Sequence, residues 1–381
     1  MKITVAIDSF KGSLPSLESG AAVKLAAERV FDSVSVDVCL LADGGEGTVD
    51  AIISSVGGEL VKAYVTGPLG EKVEASYGLI KNTKTAVIEM SAAAGITLLK
   101  KEELNPLKTT TFGVGELIRD AILKSARRFI IGIGGSATND GGVGMLKALG
   151  FEFLDSDGNS IENGAAGLSR LVKIKCDNAL KELSDCEFLV ACDVKNPLCG
   201  SEGCSAVFGP QKGATPKMIK EMDSWLSNYA HLTKSVLTEA DENYEGSGAA
   251  GGMGFALMSY LNATLTSGIE LVMREISLDA HIKDSDLVVT GEGRLDGQSA
   301  MGKAPVGVAR LAKKYSKPVV AFSGCVTDDA VLCNENGIDA FFPILRAPVS
   351  LSEAMDTENA RKNLTNTAEQ VFRLIKALTN R

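Results

Sequence analysis

At 381 residues the chain is longer than one ordinary domain of about 150 residues, so two domains are expected. Its 45% hydrophobic and 23% charged residues exclude a disordered chain, a coiled coil and a collagen-like fibre. Lysine and arginine number 39 against 48 aspartate and glutamate, a formal net charge of −9; the absence of a basic stripe argues against a nucleic-acid partner.

Lys2–Ile7 is a short β-branched run and predicts a strand. Ser13, Pro15 and Ser16 open a helical pattern ending near Val30, with Leu17, Ala21, Leu25 and Ala26 expected inward and Pro15 in its first turn. Residues 34–42 predict a second strand, 43–47 a loop and 48–55 a helix, a parallel α/β opening. In the middle, 73–79 and 85–90 read as a hairpin around Lys81–Asn82, 111–123 as a helix and 129–133 as a buried strand. Asp157–Gly158 reads as the turn of a second hairpin, and 187–192 as a further strand. Residues 286–290 predict a strand, 291–305 a long polar loop, 306–315 a helix, 317–323 and 340–345 strands, and 353–378 a broken helix. The expected fold is α/β with two α/β domains. One is a Rossmann-like parallel-sheet domain built from both chain ends (1–68 and 283–381), and the other a mixed α/β domain inserted at 69–282.

Several chemistries drop out on residue supply. The two histidines, His231 and His281, are in no ligand-like spacing, which argues against a histidine zinc site or a Ser-His-Asp triad. The eight cysteines form no CxxC and read as reduced thiols. No 18-residue apolar run or signal-type leader is seen, so a cytoplasmic protein with no membrane partner is expected. The oligomeric state is not legible.

The 40 glycines exceed the roughly 27 of average usage, and the excess clusters in acid-bearing loops after predicted strands, where α/β sheets bind ligands. Asp8–Ser13 supplies a carboxylate, a cation and a helix start, and Ala42–Thr48 holds Asp43 and Glu46 among three glycines. Gly132–Gly142 combines glycine with Ser136, Asn139 and Asp140 ahead of a helix near Val143, as a phosphate-facing loop would. Asp193 ends an apolar strand. Thr290–Pro305 carries Glu292, Arg294, Asp296 and Lys303. Its Gly297-x4-Gly302-Lys303 approaches a P-loop but puts Ala304 where a hydroxyl should hold Mg2+, so a P-loop NTPase is rejected. Cations, carboxylates and no catalytic histidine suit phosphoryl transfer.

Taken together, DSFKGS (8–13), ADGGEGT (42–48), GGSATNDGG (134–142), ACDVKNPLCG (191–200), VFGPQKGA (207–214), GAAGGMG (248–254) and TGEGRLDGQSAMGK (290–303) resemble the glycerate kinase family. The resemblance implies ATP-dependent phosphorylation of D-glycerate with Mg2+, usually giving 2-phosphoglycerate, and an active site in a cleft between two α/β domains. Site roles are assigned by charge. Lys11 and Arg294 are candidates for the glycerate carboxylate, with Asp8, Ser9 and Asp43 for its hydroxyls. Asp193 would orient the attacking hydroxyl, with Asp43 and Lys11 beside it in the catalytic set. Glu292 and Asp296 would lie near Mg2+, Lys303 on nucleotide phosphate, and Gly134, Gly135, Ser136, Asn139 and Asp140 along a second phosphate-facing loop.

Two other readings compete. A nicotinamide dehydrogenase would use Gly132-x-Gly134-x-x-Ala137 and needs an acid about 20 residues on, at the end of a second strand; Asp155 and Asp157 fall there, in a predicted hairpin. A non-enzymatic two-domain binder of small anions explains fewer of the acids.

Overall fold

The computed structural model describes residues 1–379. Among them thirteen strands run in chain order: β1 (Lys2–Ile7), β2 (Ser35–Val38), β3 (Glu59–Thr66), β4 (Lys72–Ile80), β5 (Thr85–Glu89), β6 (Arg128–Gly132), β7 (Glu152–Leu154), β8 (Lys173–Lys175), β9 (Glu187–Ala191), β10 (Thr264–Thr266), β11 (Leu287–Leu295), β12 (Val319–Val326) and β13 (Ala340–Pro343). They form two α/β units. The first comprises residues 1–43, 50–56 and 269–381, and the second residues 44–49 and 57–268.

The first unit is built on a five-stranded sheet in the order β13-β12-β11-β1-β2, parallel throughout. Strand alternation sends Ile3, Val5, Ile7, Leu287, Val289, Val320 and Phe322 to one face. There they pack on helices Ser16–Val30 and Thr357–Thr379. Thr4 points the other way, its hydroxyl meeting Ser285 Oγ and donating to the His281 carbonyl. Successive connections leave β1 towards β2 on one side and run from β11 to β13 on the other. The order therefore reverses between β1 and β11, the switch point at which open α/β sheets bind ligands.

The Ser16–Val30 helix buries Ser19, Gly20, Ala22, Val23, Ala26, Ala27 and Val30. Only Ala26 of the expected inward set is among them; Leu17 is 61% exposed. The small residues form the buried stripe because the helix lies close to the sheet: a Cβ on Gly20 would meet Val38 Cγ1 at 2.3 Å. Pro15 caps this helix from outside its first turn. β2 stops at Val38, although residues 39–42 stay buried.

The expected polar loop at 291–305 is replaced by ordered structure. β11 continues to Leu295, pairing Arg294 with Cys325 and Leu295 with Val326. A short helix follows at Gly297–Ala300, and the next runs over Ala304–Lys313. Glycine at 291 serves strand contact, since a Cβ there would stand 2.1 Å from the Phe322 carbonyl oxygen.

The second unit carries a six-stranded mixed sheet, β10-β9-β6-β5-β4-β3, and a small two-stranded sheet, β7-β8. β5, β6, β9 and β10 are parallel, while β4 runs antiparallel to both of its neighbours, β3 and β5. The units divide after residues 56 and 268, earlier at both crossings than the expected 68 and 282. The reason is the unanticipated strand β3, whose residues fall inside the expected first domain but which pairs with β4 along its full length. Helix Leu278–Lys283 in turn packs on Ala304–Lys313 of the first unit.

Candidate functional site

The carboxyl ends of β1, β2 and β11 bring five of the anticipated residues together in the first unit. The Asp8 amide donates to the Gly291 carbonyl at 3.0 Å, which fixes Asp8 one residue beyond the Ile7–Gly291 register pair. Asp8 is 6% exposed, and its carboxylate accepts from the Ser9 amide at 2.7 Å. Burial, and then the neighbouring Asp43 and Glu292 carboxylates, push the Asp8 acid from its ordinary 3.8 to about 7, against the pull of Lys11. Lys11 Nζ donates to Asp43 Oδ2 at 2.7 Å. Burial opposes the Lys11 charge, but Asp43, Asp8 and Glu292 prevail and raise its pKa above the usual value.

Glu292 sits on the extended end of β11, half-buried, and accepts from Ser299 Oγ. Burial raises its pKa, opposed by that hydrogen bond and by Lys303 and Lys11. Asp296 is more committed than the sequence suggests. Its Oδ1 accepts the amides of Gln298 and Ser299 as a helix cap, and its Oδ2 lies 3.3 Å from Arg294 Nε. Arg294 is thereby ion-paired in place, as Lys11 is to Asp43. Lys303 is exposed and precedes the Ala304–Lys313 helix without a side-chain cap bond.

Among the described residues no group of three or more His, Cys, Asp or Glu is spaced to hold a metal ion. Mg2+ commonly needs only one or two carboxylates, its other ligands being water and substrate phosphate. The like-charge crowding of Asp8, Asp43 and Glu292 offers hard oxygen donors of the kind Mg2+ takes.

In the second unit, the loop after β6 proves mostly internal. Gly134 and Gly135 reach the surface, Ser136 is 9% exposed, and Thr138, Asn139 and Asp140 are buried. Asp140 accepts from the Thr111 amide and hydroxyl at 2.8 and 2.9 Å and from the amides of Gly142 and Gly144. Burial raises its pKa, with these donors opposing. It organises the loop instead of facing a nucleotide. Asn139 Nδ2 donates to Ser205 Oγ at 2.8 Å, equally inside. Gly132 is required by close packing, because a Cβ would stand 2.4 Å from the Gly44 carbonyl oxygen. Asp193 lies exposed beyond β9, where its Oδ1 accepts the Gly268 amide at 3.0 Å.

Sequence reasoning missed Lys212. It is 1% exposed and donates to Ser136 Oγ at 2.9 Å and to the Thr138 carbonyl at 2.6 Å. The GPQKGA segment that contains it was the available signal. The acid needed by the dehydrogenase reading is absent from its place: Asp155 turns inward onto the Asp157 and Asn159 amides and pairs with Arg170 at 2.7 Å.

A parallel-sheet unit with a carboxylate–lysine cluster at its switch point has the layout of an α/β ligand-binding domain. The family model for the glycerate kinase family matches residues 3–376, and the chain belongs to that family. It is 49% identical to the glycerate 2-kinase of Escherichia coli K12, over 93% of each chain. It is 46% identical to the glycerate kinase of Haemophilus influenzae, over 98% of this chain and 99% of that one. A crystal structure of a glycerate kinase 2 candidate from Salmonella typhimurium LT2 superposes with a TM-score of 0.90 at 46% identity, covering all of both chains. The protein is thus an enzyme of the kinase class, and the dehydrogenase and non-enzymatic readings fall away.

Proposed function

We propose that the protein transfers the γ-phosphoryl group of ATP to a hydroxyl of D-glycerate, with Mg2+, giving ADP and phosphoglycerate, 2-phosphoglycerate favoured. The observation that carries the reading is the cluster of Asp8, Asp43, Glu292 and Lys11 at the β1–β11 switch point. Lys11 and Arg294 are the cations for the glycerate carboxylate; each has an acid partner in place, Asp43 and Asp296 respectively. Asp8, Ser9 and Asp43 receive the hydroxyls. Asp193 orients the attacking hydroxyl and takes its proton as the oxygen bonds to the γ-phosphorus and the bond to the bridging oxygen breaks. Glu292 is the foremost acid towards Mg2+, with Asp296 beside it; Mg2+ when bound would neutralise charge on the phosphates. Lys303, Gly134, Gly135 and Ser136 serve the nucleotide phosphates. Among the described residues no helix is long and apolar enough to cross a membrane, which supports the cytoplasmic placement we propose.

The test is to incubate the protein with ATP, Mg2+ and D-glycerate and follow phosphorus NMR. A new phosphomonoester resonance, coupled to the C2 proton for 2-phosphoglycerate and lost in excess EDTA, is expected. No ADP formation with D-glycerate, or full turnover in EDTA, overturns the reading.

A further inference from the structure

Lys212 ends the short turn Pro210–Lys212, and its ammonium is sealed under the loop that follows β6. It forms no ion pair among the described residues, and both of its hydrogen bonds go to neutral oxygens. A buried ammonium without a carboxylate partner is costly, and a methionine would fill the same space without that cost. The arrangement therefore calls for a role that the charge itself performs.

Donor chemistry supplies one. An ammonium carries three donors and no lone pair, so Ser136 Oγ can only accept from Lys212. The Ser136 proton must then point elsewhere, and no described residue accepts it. Ser136 is 9% exposed, just inside the loop and directly after the exposed Gly135. Its backbone is fixed by its neighbours: the Gly135 carbonyl accepts the Ile96 amide at 2.9 Å, and the Ala137 amide donates to the Ala94 carbonyl at 2.9 Å. The loop still holds unspent polarity, since Thr138 Oγ1 and Asn139 Oδ1 are buried without partners.

We infer that Lys212 is a positioning residue, whose ammonium turns the Ser136 hydroxyl outward as a hydrogen-bond donor for nucleotide phosphate. This rests on the proposed reading of Gly134–Ser136 as a phosphate-facing loop. Were Lys212 neutral, its nitrogen could accept, and Ser136 could turn inward. The charge is held loosely: burial lowers the Lys212 pKa to about 8. The titratable groups facing it are the Cys204 thiol, which burial pushes up to about 11 and so keeps neutral over this range, and the Asp140 carboxylate, which favours the ammonium.

The experiment titrates MgATP into the full-length wild type, Ser136→Ala, Lys212→Met and the double variant, and repeats the first two between pH 7 and 9. Each single change should weaken the ATP Kd by about tenfold, the scale of one charge-assisted hydrogen bond. The double variant should be no worse than the weaker single, and KM for glycerate should stay within about twofold. Wild-type affinity should fall above pH 8, and Ser136→Ala should be flat there. Unchanged affinity in Lys212→Met, or losses that multiply in the double variant, overturn the inference. If Lys212→Met does not fold, the pH series decides: the same decline in wild type and Ser136→Ala overturns it. The functional reading fails separately. A wild type that binds ATP with this Ser136 dependence but does not phosphorylate glycerate keeps the inference and loses the reading; a wild type that binds no ATP loses both.

Discussion

The ammonium of Lys11 lies 2.7 Å from Oδ2 of Asp43, tying the loop after β1 to the loop after β2. The pair is solvated, with the Lys11 side chain 71% exposed, so it adds at most about 1 kcal/mol to stability. Lys11→Met should therefore leave the apo melting temperature within a few degrees while raising KM for glycerate about tenfold or more. A large drop in Tm with KM unchanged would make Lys11 a structural partner of Asp43 alone.

Asp8 gives a pH dependence with a definite sign. Its acid is raised from 3.8 to about 7 in the folded protein, so the native state binds the proton more tightly than the unfolded chain. Its contribution to stability is full below pH 4 and is lost as pH rises towards 7. Asp8→Asn should remove this slope and stabilise the apo protein at pH 8, by an amount of order 1–4 kcal/mol. The same change should remove most activity, since a buried amide cannot supply the negative charge. Urea unfolding at pH 5 and pH 8 checks it. Equal slopes in both proteins would show that Asp8 ionises normally.

The expectation that proved most legible in the sequence was that acids and cations follow the strand ends, because β-branched or apolar runs mark β1, β6, β9 and β11 plainly. Less legible was where those strands stop. Gly291 and Gly293 look like loop residues, yet glycine at 291 is what allows β11 to approach Phe322 of β12. β3 went unread although Val61, Ala63 and Val65 alternate inward against Leu60, Lys62 and Tyr64. An edge strand with an exposed face lacks the continuous apolar run that marked the buried strands. Asp140 and Lys212 show the harder limit. Both occupy glycine-rich text that suggests ligands, and only the fold reveals that each is wholly buried.

Asp193 and Asp43 should separate kinetically. Asp193→Asn should lower kcat by about 10²-fold or more, the range for a group that orients and deprotonates a hydroxyl. The fold should hold, because an amide oxygen can still accept from the Gly268 amide. Asp43→Asn should act chiefly on KM for glycerate, since its partner is the substrate-facing Lys11. Steady-state kinetics on both variants decides the assignment; wild-type kcat in Asp193→Asn would move the hydroxyl role to Asp8 or Asp43.

Lys303 is the sharpest test of the nucleotide assignment, because its structural obligations are few. It is exposed, and no hydrogen bond or ion pair of its side chain is found among the described residues. The nearby acids have other partners: Asp296 binds Arg294 and caps the helix at Gly297–Ala300, and Glu292 accepts from Ser299. Lys303 does act on Glu292 at longer range, lowering its pKa against the effect of burial, so its ammonium faces the carboxylate cluster without contacting it. A cation held this way costs little to remove from the apo protein and matters only when an anion arrives. Lys303→Met should leave apo Tm nearly unchanged and weaken ATP binding by about 1–3 kcal/mol, the value of one charge-assisted hydrogen bond. The loss should shrink as ionic strength rises, since an exposed charge is screened within about 10 Å at 0.1 M salt. Calorimetric titration of ATP at two salt concentrations, beside thermal denaturation without ligand, measures both. A fall in apo Tm with ATP affinity intact would assign Lys303 to the loop and not to the phosphate.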